Sequence, residues 1–546
     1  MNFDCDVIIV GGGPVGLFLA AELGMRGIST HVFDDKPGTS THPAANANSA
    51  RTMEHYRRLG LAAEIRGLGL PPDHPTDVAY FTRLSTYELA RFQQPSSSFA
   101  ANRLRELESL WPTPELPHRC SQLYVEPVLL RAAQSHAHNR VQYLSTVQNV
   151  TQDDQSVVAE IVGADGAVKH CRARYLVGCD GPRSTVRSLM GLHYAGTSGE
   201  KRGFMGGRMA AAYFSAPALY DRVKGKRAWQ YWTLNADQRS LIVSVDGQSR
   251  FIINIQLSEG QQPDDDDVGR RIATAVGANL PFELISNSAW TAGFALVAER
   301  MHTGRVFLAG DAAHLFTPTG GLGYNTGIED AANLAWKLEA AIKGYGGPDL
   351  LESYEAERRP AAFRNTGFAR QFADSIGHTP IPADIEADTP TGNASRNALG
   401  SYLGFHAYKE FSIPGVHLGA RYEESPIVAA EPGCAPPDTA NLYLPCGRPG
   451  HRAPHVWLSD GSSLFDRFGH GFTLLNMGQS ATATETEKAL NKLPLKELQI
   501  NNDAARDLYG ADYALIRPDQ HIAWRGNRLD DGFATALNRN LGFAHA

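Results

Sequence analysis

The chain has 546 residues, 42% hydrophobic and 20% charged, with a formal net charge of −7. That length holds a sizeable core and about two to four domains, and the acidic balance argues against nucleic acid or an anionic membrane as partner. No apolar run approaches the roughly 18 residues of a membrane span, Met1-Asn2-Phe3-Asp4 has none of the features of a signal peptide, and a cytoplasmic protein is expected. The cysteines (Cys5, Cys120, Cys171, Cys179, Cys434, Cys446) show no CxxC spacing. This pattern argues against zinc or a disulfide framework.

The first element is Val7-Ile8-Ile9-Val10, a continuous apolar run of the kind found in a central parallel strand. Gly11, Gly13 and Gly16, with Pro14 and Val15 between the last two, form GxGxxG. A helix rich in Leu and Ala is expected over 17–26. In such a turn the first glycine permits the bend and the second lets the backbone approach a pyrophosphate. The third allows close packing, and the helix N-terminus faces the phosphates. A second strand, 30–33, ends at Asp34, 23 residues after Gly11, where an acid suits the ribose hydroxyls of an adenosine. The bland alternative is a tight turn plus a solvated acid; the order strand, glycines, helix, strand, acid favours a dinucleotide.

Two more strand ends follow. "RYLVGCDGPRSTVR" (174–187) runs from an apolar strand into Asp180-Gly181 and then arginines. "GRVFLAGDAAHLFTPTGGLGYNTGIEDAANLAWKL" (304–338) runs from a buried strand into Gly310-Asp311 and a loop that, counting Gly310, holds five glycines, with a helix expected from about Ile328. His314 is either a base or a hydrogen-bonded histidine of the turn, and pattern alone favours the second.

GxGxxG, DG and GD, in this order and at these separations, resemble the class A flavoprotein monooxygenases. These are aromatic hydroxylases similar to p-hydroxybenzoate and phenol hydroxylase, here most like the dichlorophenol or 3-hydroxyphenylpropionate type. "NSARTMEHYRRLG" (48–60), "SQLYVEPVLL" (121–130) and "LLESYEAERRPAA" (350–362) extend the resemblance over about the first 370 residues. It implies FAD as cofactor, NADH or NADPH and O2 as co-substrates, and a phenol as substrate. In the family, hydride reduces FAD and O2 adds at flavin C4a. The hydroperoxide then hydroxylates an electron-rich ring, ortho to its hydroxyl, in a site that excludes water.

By the resemblance, Asp311 would hydrogen-bond the ribityl chain. The following loop and helix N-terminus would stabilise the anionic edge of reduced flavin. Pro318 would lie over the ring near the oxygen site, and Gly323, Tyr324 and Asn325 at the flavin edge. Gln122 would contact the middle of FAD, and Asp180 would be tied to FAD and NAD(P)H. Relatives usually read His-Pro-Arg-Ala where this chain reads His42-Pro43-Ala44-Ala45; His42 or Arg51 are the candidate substitutes for the absent arginine. Asn46 stands where relatives place an Asp or His near the substrate hydroxyl. Asn can orient that hydroxyl but not deprotonate it; the alternative is that Asn46 caps a helix from about Ser49. Gln230, Tyr231 and Trp232 are further candidates for ionising the phenol.

The expected fold is α/β. A Rossmann-like FAD-binding domain (1–75, 101–189, 286–375) carries an inserted antiparallel β-sheet substrate domain (76–100, 190–285). Four stretches, 208–214, 228–234, 240–246 and 250–256, read as strands joined by short turns. The acidic run 261–269 reads as a loop or helix start rather than a metal site, and no metal is expected. A segment rich in Pro, Thr and Asp reads as a linker, 376–400. Residues 401–546 resemble the thioredoxin-like C-terminal domain of phenol-hydroxylase-type members; without CxxC a structural or dimer-contact role is expected there, and a homodimer is compatible. Two other outcomes stay open: oxygenation of a polycyclic polyketide or antibiotic (hydroxylation or Baeyer–Villiger insertion), and a non-catalytic FAD-binding protein.

Overall fold

A four-residue strand buried at every position, as Val7–Val10 is, needs cover on both faces and neighbours on both sides. In a computed structural model of the chain, which describes residues 2–200, 202–258, 260–478 and 493–543, it has both. Val7–Val10 pairs in parallel with Thr30–Phe33 on one side and Tyr175–Gly178 on the other. Asn139–Gln142 and Val306–Leu308 extend the parallel sheet outward, and His302–Thr303 closes one edge antiparallel. The three motif-bearing strands are therefore adjacent and parallel, so Gly11, Asp180 and Asp311 emerge at the same end. That is where an open α/β sheet binds its ligand.

The helices Pro14–Met25 and Leu322–Lys343 pack against each other. The second begins at Leu322, ahead of the expected Ile328. Gly320 and Gly321, at φ 72° and 65°, make the left-handed turn that ends the loop. Gly323 and Gly327 then lie inside the helix. A Cβ on Gly327 would stand 2.7 Å from Val15 and 2.9 Å from the Gly310 Cα, so this glycine lets helix and turn touch.

The second sheet has seven strands in the order Glu283–Ala292, Gly207–Ser215, Arg250–Gln256, Arg239–Ser244, Gln230–Leu234, Val78–Phe81, Glu88–Phe92. The four strands read from sequence do pair antiparallel. Val78–Phe81, arriving from a separate stretch of chain, joins parallel to Gln230–Leu234. The strand Glu283–Ala292 crosses the expected boundary at 286 and belongs to this sheet throughout. Alternation along the strands makes two apolar faces. Phe214, Tyr231 and Phe251 pack with the helix Asp265–Val276, whose N-cap is Asp264, so the acidic run is a helix start. Tyr80, Phe204, Tyr213 and Trp232 form the opposite face.

The expected linker is helical at both ends. Ser353–Gly377 covers its start, and Pro390–Phe411 begins after Thr389, whose side chain accepts from Gly392 N. Proline in the first helical turn and threonine before it are start signals. This helix lays Leu399, Leu403 and Ala407 on the aromatic face.

The C-terminal region holds a sheet ordered Leu495–Gln499, Phe472–Asn476, Tyr513–Ile516, Ile522–Gly526; the first pair is parallel, the others antiparallel. Buried ion pairs tie it to the first region: Arg517 with Glu357 at 2.7 Å, and Arg452 with Glu54. No described helix is long and apolar enough to cross a membrane.

Candidate active site

The glycines of the first turn differ in what surrounds them. Gly11, at φ 105°, would place a Cβ 2.3 Å from the Cys179 carbonyl oxygen, and Gly16 would place one 2.0 Å from the Gly11 carbonyl oxygen. Gly13 has nothing within 4 Å. The first and third glycines thus close the turn, and the second leaves an open approach to the backbone. The helix Pro14–Met25 has Gly13 as N-cap, no side-chain cap and no acid in its first turn. Pro14, without an N–H, begins it, leaving the amides of Val15 and Gly16 as first-turn donors with no intrahelical acceptor. Ser49, Ser121, Asp264 and Thr389 by contrast each cap their own helix. Asp34 is held at the rim by Gly12 N at 2.6 Å and Lys36 N at 2.8 Å.

Asp180 accepts from Ser184 Oγ at 2.6 Å and Val186 N at 3.0 Å. Burial pushes its carboxyl upward against these bonds. Arg187, four residues past Arg183, donates to the Pro182 and Ala312 carbonyls at 3.2 and 3.1 Å and to Tyr194 Oη. Tyr194 in turn donates to the Asp311 carbonyl. Arg187 and Tyr194 thereby bolt the second motif to the third; the arginine stands in the motif itself, but Tyr194 lies beyond it and leaves no local signal in sequence.

Asp311 is exposed to solvent, yet the surrounding protein pushes its carboxyl above the ordinary range, opposed only by His314. Asp311 stands at the end of the parallel sheet where Gly11 and Asp180 also emerge. His314 is completely buried; its Nε2 meets Asp330 Oδ2 at 2.6 Å, and Arg358 donates to the other oxygen at 2.8 Å. It is a histidine of the turn, not a base facing the cleft.

Pro318 precedes the Thr319–Gly321 turn. Gly320 N donates to Glu410 Oε1 at 2.9 Å, so the helix Pro390–Phe411 holds this loop. The following helix, Leu322–Lys343, again has no side-chain cap and no acid in its first turn. Gly323 packs on Phe316. The two residues expected at the flavin edge on the helix start have side chains engaged within the protein. The Asn325 side chain is used within the protein: it accepts from Ser49 N at 2.7 Å and donates to the Ala47 and Gly321 carbonyls at 3.0 and 2.6 Å. The Tyr324 hydroxyl meets Tyr56 Oη and donates to Asn48 Oδ1 at 3.2 Å. Both side chains position the segment 45–49.

That segment bridges the two sheets. Ala47 packs against the aromatic face and lies 3.1 Å from where a Cβ on Gly321 would stand. Asn46 beside it is half-buried, and its Oδ1 is buried with no partner among the described residues. Asn46 is not the cap of the next helix; Ser49 accepts from Thr52 N there. Gln122 N donates to the Ala45 carbonyl at 2.7 Å, and its side chain to Glu126. Neither candidate substitute for the missing arginine is free among the described residues. Arg51 pairs with Glu54 at 2.6 Å and donates to Gln520 at 2.8 Å; His42 meets Ser286 and Ser288 at 2.8 and 3.3 Å.

A nucleotide-bearing cofactor fits these residues: an open glycine approach, two long uncapped helices, an acid at a strand end and an exposed acid at the same end of the parallel sheet. Residues 4–369 match the family described as FAD binding domain, and 447–544 match the aromatic-ring hydroxylase C-terminal family. A putative polyketide hydroxylase of Streptomyces halstedii is 31% identical, over 95% of this chain and 93% of its own length. A 4-methyl-5-nitrocatechol 5-monooxygenase of Burkholderia sp. is 31% identical, over 99% and 97%. The solved structure of the rebeccamycin biosynthetic enzyme RebC with reduced flavin superposes with TM-score 0.88 at 32% identity, covering 99% of each chain. The chain belongs to the FAD-dependent aromatic-ring hydroxylases, the class A flavoprotein monooxygenases, and is an FAD-dependent monooxygenase.

Proposed function

We propose that the enzyme hydroxylates a phenolic aromatic ring, ortho to its hydroxyl, with NADH or NADPH and O2. Bound FAD supplies the oxygen-activating chemistry; the chain binds, orients and excludes water. In this reading Gly13 and the amides of Val15 and Gly16 receive the pyrophosphate, Asp34 the ribose, Asp311 the ribityl chain and Gln122 the middle of the cofactor. Asp180 serves FAD and NAD(P)H, and Pro318 lies over the flavin ring. The helix Leu322–Lys343 turns its positive end toward the ring.

The observation that carries the substrate reading is the buried, unpartnered Asn46 Oδ1, beside a residue touching both the glycine loop and the aromatic face. A buried acceptor without a donor is costly, and a phenol hydroxyl supplies one. Tyr80 and Trp232, stacked with centroids 6.1 Å apart, and Phe204 on Trp232 at 5.6 Å give a wall that suits an aromatic ring. Of the three strand residues considered for ionising the phenol, Tyr231 lies on the opposite face with its hydroxyl on Ala228 N, the Trp232 indole only donates, and the Gln230 amide cannot take a proton. The proton therefore leaves through water or through the substrate's own acidity.

A second reading, a polycyclic phenol of polyketide type, is favoured by the polyketide hydroxylase relative. Residues 401–546 are read as a thioredoxin-like structural domain. Substrate-stimulated NADH and NADPH oxidation across simple phenols, chlorophenols and fused-ring phenols decides among these readings. Stimulation by none of them defeats the proposal, and coupled hydroxylation of fused-ring phenols alone selects the second reading.

A further inference from the structure

The parallel sheet has a second cluster of reactive side chains at the end opposite the cleft. Cys5 lies two residues before the Val7–Val10 strand, His31 near the start of Thr30–Phe33, and Cys171 in the strand Val168–Ala173. Their two sulfurs and a ring nitrogen lie within 4.8 Å of one another. Cys171 Sγ is 3.6 Å from His31 Nδ1. Both cysteines are 4% exposed, and His31 is half-buried. Backbone bonds fix the cluster: Asp4 N donates to the Arg172 carbonyl at 2.9 Å, Arg172 N to Asp4 Oδ2 at 2.8 Å, and Ile8 pairs with His31. The nearest carboxylates are already engaged: Asp4 with Arg172 N, and Asp6 with the Ser29 amide and hydroxyl at 3.0 and 2.6 Å.

Two thiols and an imidazole are the donors that zinc and other borderline-soft cations prefer; magnesium and calcium prefer oxygen. A tetrahedral zinc with Zn–S of about 2.3 Å and Zn–N of about 2.0–2.1 Å holds sulfur and nitrogen about 3.5–3.6 Å apart. The geometry points to a site for a borderline-soft divalent cation, zinc foremost, made by Cys5, Cys171 and His31, with water in the fourth position. On binding, the metal replaces the two thiol protons, which pass to solvent. The ion would pin the N-terminal segment and the flavin sheet to the sheet Ser145–Gln152, Val157–Gly163, Val168–Ala173, at the far end of the flavin sheet from the cleft. Ligands separated by 26 and 140 positions leave no zinc spacing in the sequence, which is why the cysteine count argued the other way.

The test uses the full-length, FAD-loaded protein, stripped with a chelator and titrated with Co²⁺ alone, then with Zn²⁺. One equivalent of Co²⁺ should give thiolate-to-cobalt charge-transfer and tetrahedral d–d bands, and one equivalent of Zn²⁺ should bleach them and raise the melting temperature. Cys171→Ser and Cys5→Ser should each abolish the bands. His31→Asn should weaken binding at least about tenfold, since even outer-shell changes cost that much. Cys434→Ser/Cys446→Ser should leave the bands intact. Should either buried-cysteine variant fail to fold, the other variants still decide. The proposal is overturned if the parent shows no bands, or if the bands depend on Cys434 and Cys446. It is equally overturned if His31→Asn binds like the parent, or if the parent takes up no metal and a mild oxidant instead joins Cys5 to Cys171.

Discussion

The cleft and the seam with the C-terminal region treat buried polar groups in opposite ways. At the seam the buried charges are paired. Glu357 receives both terminal nitrogens of Arg517 and the Lys337 ammonium at 2.7–2.8 Å, while Glu54 takes Arg51 and Arg452. In the cleft, Asn46 Oδ1 has no partner, Gly13 has no neighbour, and two long helices have no side-chain cap. The charges of the seam are paired without any further molecule; the cleft is complementary to one. Substitutions at the seam should therefore change stability, and substitutions in the cleft should change ligand binding.

The largest effect is expected from Glu357→Ala. It leaves Lys337 and Arg517 buried without their shared carboxylate, and removing one partner of such a cluster costs about 3–5 kcal/mol. Urea unfolding should show that loss, with the flavin Kd of the folded fraction unchanged. Stability within about 0.5 kcal/mol of the parent would mean that the seam does not hold the regions together.

Acid should loosen the fold early. Burial pulls His118, His417 and His455 each down to about 3. These bases are neutral in the fold but titrate near 6.5 once unfolded, so between pH 6.5 and 3 the unfolded chain binds more protons. Stability then falls as pH drops, by about 1.4 kcal/mol per pH unit for each such histidine. Glu54 acts lower down. Burial raises its pKa, but Arg452 and Arg51 outweigh that and hold it at about 2, so its contribution is present above about 4.5 and lost as pH falls toward 2. Melting temperatures should begin to decline just below pH 6.5; a flat profile down to pH 4.5 would contradict the buried neutral histidines.

Asp311→Ala tests the cleft side. Loss of one charge-assisted hydrogen bond to a ribityl hydroxyl costs roughly 1.5–3 kcal/mol, ten- to a hundredfold in the flavin Kd. Because the side chain is exposed, the stability of the flavin-free protein should hardly move. An unchanged Kd would take Asp311 out of the site; a large drop in stability would make it a seam-like residue.

The same division explains what the sequence could show. Val7–Val10, Thr30–Phe33 and Gly11 to Gly16 were legible because strand hydrophobicity and turn glycines are local properties, and the four antiparallel strands were legible because short turns fix their pairing. The start of Leu322–Lys343 was not, because Gly327 looks like loop until Val15 and Gly310 are seen to need the space. Pro390–Phe411 was hidden by a composition that reads as linker but is a cap followed by a first-turn proline. Tyr194 and Glu410 were missed because each holds a loop distant in sequence. Asn325 and Tyr324 were placed at the flavin edge by resemblance, yet their side-chain partners, Ser49, Ala47, Asn48 and Tyr56, come from a segment some 270 residues away.

The smallest effect, and the sharpest probe of the contrast, is Asn46→Ala. If the unpartnered Oδ1 receives the phenol hydroxyl, the variant should lose one neutral hydrogen bond, roughly 0.5–1.5 kcal/mol. That is a drop of up to about tenfold in substrate affinity, well short of the hundredfold or more expected for a lost base. The fraction of NAD(P)H wasted as hydrogen peroxide should rise, because a loosely held ring meets the oxidant less often. Stability should not fall, since Ser49 already caps the helix and the deleted oxygen bonds nothing in the protein. Asn46→Asp puts a carboxylate in the same place. It can take the phenol proton, so the pH–rate profile should gain an acidic limb that the parent lacks. Both variants matching the parent in coupling and pH profile would make Asn46 a bystander and move the orienting group to the aromatic face, where Tyr80 Oη and Trp232 Nε1 are also buried without partners.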